Sequence, residues 1–159
     1  MARVVIADAG PLIALACIDT LTLLRELFEE VFIMGSVRDE CLAKPGDDSR
    51  RISRAIEDGW LKVVPGADAD QPLSPSLGIG ESDSIRFAQQ EPEGSLLIMD
   101  DRLARRYALK RGLNIIGTVR LLDVAERLGK IDSAERLINE MAECGYRISV
   151  DLLRKIRSE

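Results

Sequence analysis

Five short apolar runs punctuate the chain: Arg3 to Ala7, Val31 to Met34, Leu61 to Val64, Leu96 to Met99 and Asn114 to Ile116. They are rich in Val, Ile and Leu and mostly continuous rather than alternating, as in strands covered on both faces. Between them, apolar residues recur at helical spacing: Leu21, Leu24 and Phe28; Ile52, Ala55 and Ile56; Ile85 and Ala88; then Leu103, Ala104, Tyr107 and Ala108. Strands alternating with helices predict a parallel sheet of about five strands flanked on both sides, a three-layer α/β/α sandwich.

The last third changes character. Leu121, Leu122, Val124, Ala125 and Leu128 form an apolar stripe closed by Gly129. Asp132 and Glu135 have the spacing of a capping box, opening a helix that carries Ala134, Leu137, Ile138, Met141 and Ala142 and stops at Gly145. A last short helix starts near Ser149 and carries Leu152, Leu153 and Ile156. These helices suit a cover for the sheet, a dimer surface or a seat for a partner. Pro65 to Gly78 reads as a long loop, with prolines and glycines in place of any apolar period.

With 159 residues, 46% of them hydrophobic, the chain fits one domain with a substantial core. The pattern divides it into an α/β part over residues 1–118 and a helical extension over 119–159. Met1-Ala2-Arg3 leads straight into a strand pattern without a secretory signal, and no apolar run approaches membrane-spanning length, so a soluble, cytoplasmic protein is expected. Cys17, Cys41 and Cys144 are odd in number, far apart and without histidine partners; they predict small core residues rather than a zinc site or a disulfide framework. A formal charge of −5, from 22 basic and 27 acidic residues, argues against a passive nucleic-acid coat. It leaves room for an enzyme that handles nucleic acid through local basic patches.

The chain has no histidine. Chemistry therefore falls to carboxylates, whose oxygens favour a hard cation such as Mg²⁺ or Mn²⁺. Two of the strand-like runs end in acids, the first in Asp8 and the fourth in the pair Asp100-Asp101. Ligands of open parallel sheets bind beyond the carboxyl ends of the strands. Glu40, on the helix after the second strand, and Glu81, at the start of the helix after the loop, are placed to join them there. Acids packed together repel, and a cation relieves the repulsion. Singly, each acid has a plainer role: Asp8 as an N-cap with Pro11 in the first turn, Asp100-Asp101 as cap and dipole partner, Glu40 on a solvated face, Glu81 as a helix N-terminal acid. Their joint placement is what favours a site.

Four segments occur in the order seen in PIN-domain proteins: Val-Val-Ile-Ala-Asp-Ala-Gly-Pro-Leu-Ile, Ser-Val-Arg-Asp-Glu, Gly-Glu-Ser-Asp-Ser-Ile-Arg-Phe-Ala and Leu-Leu-Ile-Met-Asp-Asp-Arg-Leu-Ala-Arg. Ile-Ile-Gly-Thr-Val-Arg-Leu-Leu followed by Gly-Tyr-Arg-Ile-Ser resembles a prokaryotic branch of that superfamily. The resemblance implies a Mg²⁺- or Mn²⁺-dependent endoribonuclease that cleaves single-stranded RNA with metal-activated water. Many prokaryotic members are the toxin half of a toxin–antitoxin pair, so it also implies an antitoxin partner and a homodimer. Carried over by motif, the metal-binding acids are Asp8, Glu40, Glu81 and one or both of Asp100 and Asp101. The threonine-x-aspartate form of the family favours Asp101, whereas the end of the apolar run favours Asp100. Gly10 and Pro11 depart from the polar residue that many toxins carry after the first aspartate.

Arg102, Arg105 and Arg106 follow the acidic pair at helical spacing and either grip substrate phosphates or form a solvated helix face. Thr118 offers a hydroxyl at the site or a helix N-cap. Receiver-like and aspartyl-phosphatase-like readings fail, since Gly10 stands where a second aspartate is needed and no suitable lysine follows Ile116. The serious rival is a PIN-like module that keeps the acidic cleft but acts by binding nucleic acid or protein.

Overall fold

The computed structural model describes residues 4–65, 72–91 and 93–159. Five strands pair in parallel in one sheet: β1 (Val4–Ala7), β2 (Val31–Met34), β3 (Leu61–Val64), β4 (Ser95–Ile98) and β5 (Asn114–Ile116), in the order β3-β2-β1-β4-β5. The helices among the described residues are α1 (Ala9–Cys17), α2 (Thr22–Phe28), α3 (Gly35–Leu42), α4 (Asp47–Glu57), α5 (Ile79–Gln89), α6 (Arg102–Lys110), α7 (Thr118–Arg127), α8 (Ala134–Glu143) and α9 (Val150–Arg157). This is the α/β/α sandwich that the strand–helix alternation predicts. Right-handed crossovers, the rule between parallel strands, place α5 and α6 on the face opposite α1 and α4; α1 packs on α4, and α5 on α6.

β4 begins at Ser95, one residue before the expected start, and ends at Ile98; Met99 beyond it still donates its N–H to Ile116 O at 3.0 Å. Arg3 and residues 66–71 of the expected loop lie outside the described residues. The chain steps from β1 outward to β3, then returns across the sheet to β4 on the other side of β1. That reversal opens a crevice at the carboxyl ends of β1 and β4. Ala7 pairs with Ile98 there, and the N–H of Asp8 bonds Ile98 O at 2.9 Å, so the backbone of Asp8 is pinned to the neighbouring strand.

One buried cluster unites Ile6 and Leu97 of the sheet, Leu12 and Leu15 of α1, Ile85 of α5, and Leu121, Ile138 and Met141 of the C-terminal helices. Each such side chain contributes roughly 1.5–3 kcal/mol by leaving water. Ser133, not Asp132, caps α8: its hydroxyl accepts the Arg136 N–H at 3.1 Å, while Glu126 Oε1 takes the Ala134 N–H at 2.8 Å. Arg157 ties α9 to α7 through Asp123 at 2.9 Å and Glu126 at 2.6 Å. Of the three free cysteines, Cys41 is buried, Cys17 half-buried and Cys144 exposed, which corrects the expectation of three core residues. Among the described residues no helix is long and apolar enough to cross a membrane.

Candidate active site

The acids reach one edge of the sheet by separate routes. Asp8 follows β1 and Asp100-Asp101 follows β4, its neighbour. Glu40 lies on α3, which begins directly after β2 on the other side of β1. Because β3 and β4 are parallel, α5 must run back between them, which leaves its first turn, with Glu81, at the carboxyl edge. A Cβ on Gly80 would lie 3.1 Å from Val37 Cγ2 and 3.8 Å from Glu40 Oε1, so the missing side chain lets the two acid-bearing helices close on each other. Ser36 of α3 donates to Asp83 Oδ2 of α5 at 2.6 Å, and Asp83, only 5% exposed, also pairs with Arg86 at 3.3 Å. Sequence reading gave Asp83 no role, although it stands inside the Gly-Glu-Ser-Asp motif.

Asp8 is 8% exposed and sits at the N-cap of α1 without making a side-chain cap bond. Burial pushes its carboxyl up to about 7; the Ala9 N–H offsets part of this, and the charges of Glu81, Glu40 and Asp101 add to it. Glu81 is raised as well, by burial first and then by Asp101 and Glu40, against the backbone of Gly78. Its Oε2 is buried with no hydrogen-bond partner. As they stand, no three His, Cys, Asp or Glu side chains among the described residues lie close enough together to hold a metal ion. The charges of Glu81, Glu40 and Asp101 all bear on Asp8, and Glu40 and Asp101 are exposed to solvent.

The neighbouring acids divide. Asp101 Oδ2 accepts the Ala104 N–H at 3.0 Å and caps α6. Asp100 accepts the Thr118 N–H on Oδ1 at 2.7 Å, and on Oδ2 the Thr118 hydroxyl at 2.6 Å together with the Tyr146 hydroxyl. Thr118 is thus not the N-cap of α7, a position held by Gly117; it is fully buried and its hydroxyl is engaged by Asp100. Burial and the Asp100 charge hold the Tyr146 phenol well above its usual range. Sequence reading missed Tyr146; the available signal was an aromatic ring in the polar turn between two helices.

From Asp100 a cleft of about 860 Å³ runs beside α6, lined by Arg102, Arg105, Arg106, Lys110 and Arg120 over an apolar floor that includes Leu109 and Ile148. Arg102 and Arg106 are exposed. Arg105 donates to the Met99 carbonyl at 3.0 Å and so braces the end of β4 as well as lining the cleft.

No curated protein matches this chain. The model of the family DUF3368, described as a PIN domain, matches residues 4–159. PIN domains are in general nucleases, typically acting with divalent metals, so nucleic acid is the substrate class that such a match implies. Since the match runs from β1 through every acid of the site to Glu159, this chain belongs to the PIN-domain family.

Proposed function

We propose that this chain is a metal-dependent endoribonuclease acting on single-stranded RNA. The observation that carries this reading is the buried, partnerless Oε2 of Glu81 in the field of a buried Asp8 and two further acids. Desolvated carboxylates left without partners cost stability. A divalent cation removes that cost, and a donor set made only of carboxylate oxygens suits Mg²⁺ or Mn²⁺. Asp8 would be the central ligand, with Glu40, Glu81 and Asp101 around it; Glu40 is exposed and would turn inward, and Asp101 would offer the oxygen that does not cap α6. When bound, the cation activates water and neutralises charge on the phosphodiester. Arg102 and Arg106 hold flanking phosphates. With 4% aromatic residues the chain has little on which to stack bases, so its grip falls on the backbone of the strand.

Incubating the protein with labelled single-stranded RNA and DNA in Mn²⁺, Mg²⁺ or EDTA tests this reading. Internal RNA cuts that EDTA abolishes are expected. RNA binding without cleavage in either metal would overturn it in favour of a non-catalytic nucleic-acid-binding module, the reading that the separation of the acids favours. A toxin role is proposed from the family resemblance, and an antitoxin partner and a homodimer from that resemblance together with the apolar C-terminal helices.

A further inference from the structure

We propose that Tyr146 is a positioning residue for the acidic site: together with Thr118 it fixes the Asp100 carboxylate against α7, so that Asp101 is the member of the pair left to serve as a cation ligand beside Asp8 and Glu81. This rests on the cation-site reading above and adds to it a division of labour between adjacent acids and a part for the C-terminal segment.

Three donors converge on Asp100: the Thr118 N–H, the Thr118 hydroxyl and the Tyr146 hydroxyl. They come from the β5–α7 junction and from the turn between α8 and α9, 18 and 46 residues further along the chain. Hydrogen bonds to an ionised acceptor are the strong ones, and three together fix the carboxylate's direction. Successive side chains on extended backbone point to opposite sides. Asp100 lies two residues past the end of β4, and Asp101 is still non-helical, at φ −59° and ψ 127°. Asp100 is fixed toward α7 and Tyr146, while Asp101 turns to the N-terminus of α6. In agreement, it is the charge of Asp101 that bears on Asp8 and Glu81.

Tyr146 has a prepared seat. A Cβ on Gly10 would lie 3.0 Å from its hydroxyl oxygen, tighter than ordinary contact, so glycine at that position lets the phenol descend onto the β1–α1 turn beside Asp8. The departure from a polar residue after the first aspartate thus has a partner in the C-terminal segment. Through this ring the extension reaches into the site.

The test compares full-length wild type with Tyr146→Phe, Gly10→Ala, Asp100→Asn, Asp101→Asn and the Tyr146→Phe/Asp101→Asn double variant. Mn²⁺ affinity is measured by electron paramagnetic resonance, and exchange of the Thr118 amide hydrogen by NMR without metal. Removing a group that orients a ligand costs roughly tenfold or more in metal affinity; a loss of about that size is expected for Tyr146→Phe and for Gly10→Ala, with faster Thr118 exchange in both. In the Asp101→Asn background Tyr146→Phe should lower Mn²⁺ affinity no further, because its effect passes through Asp101. A merely structural role would lower thermal stability equally in both backgrounds and leave Mn²⁺ affinity alone. The proposal is overturned if Tyr146→Phe keeps wild-type affinity, or if Asp100→Asn weakens Mn²⁺ binding more than Asp101→Asn does. Should wild type bind no Mn²⁺, the cation reading fails by itself; unchanged Thr118 exchange in Tyr146→Phe then still overturns the lock, and faster exchange supports it.

Discussion

Asp101 caps α6 by accepting the Ala104 N–H at 3.0 Å, whereas Asp8, at the equivalent position before α1, makes no cap bond and is 8% exposed. The two residues hold the N-cap positions of the helices that follow adjacent parallel strands. A cap bond is worth about 1 kcal/mol, and a buried carboxylate without it forgoes that stabilisation while also losing its water. Local structure does not explain Asp8. The proposed cation site would.

Asp8→Asn should therefore make the metal-free protein more stable at pH 8 while removing divalent-ion binding and cleavage. Asparagine has nearly the same shape and carries no charge, so the repulsion with Glu81, Glu40 and Asp101 disappears. Thermal unfolding in EDTA should show a higher midpoint for the variant, and Mn²⁺ titration should raise the midpoint of wild type alone. A variant less stable than wild type in EDTA would mean that Asp8 serves the fold.

The same carboxyl links stability to pH. Its folded value of about 7 lies above the ordinary 3.8. Between the two, the folded chain holds a proton that the unfolded chain has released, so stability falls as pH rises. The contribution is complete below about pH 4, is lost as pH climbs through about 7, and amounts to roughly 4 kcal/mol at most. Subtracting the Asp8→Asn unfolding curve from that of wild type at each pH isolates it. Mn²⁺ affinity should run the opposite way, rising through pH 7 as the competing proton leaves.

Ser36→Ala removes the 2.6 Å bond to Asp83 that fastens α3 to α5. A hydrogen bond to a charged, buried acceptor is worth about 1.5–3 kcal/mol. Chemical denaturation should report a loss in that range. Because Glu40 and Glu81 ride on these two helices, Mn²⁺ affinity should fall as well. Unchanged affinity with reduced stability would separate the clamp from the site.

Arg102→Ala with Arg106→Ala should weaken single-stranded RNA binding and flatten its salt dependence. Every cation withdrawn from a phosphate lowers the slope of log affinity against log salt by about 0.7 for a single strand, so the pair should lower it by about 1.4. Binding titrations in Ca²⁺ or EDTA at several salt concentrations measure the slope directly. An unchanged slope would make this face of the cleft a solvated helix surface.

The strand runs, the helix spacing and the acids at the ends of β1 and β4 were all legible in the chain, because apolar periodicity is a local property and a carboxylate after a strand lies at a known edge of a parallel sheet. Local reading erred where a neighbour in space took over. Glu126 claims the first N–H of α8 and the cap moves to Ser133. Asp100 and Asp101 are equivalent in sequence, and their separation waits on Thr118 and Tyr146, which arrive from other segments of the chain. Periodicity says which residues reach an edge; the direction of each side chain and the proton affinity of each acid are set by donors, charges and buried surface that only folding brings together.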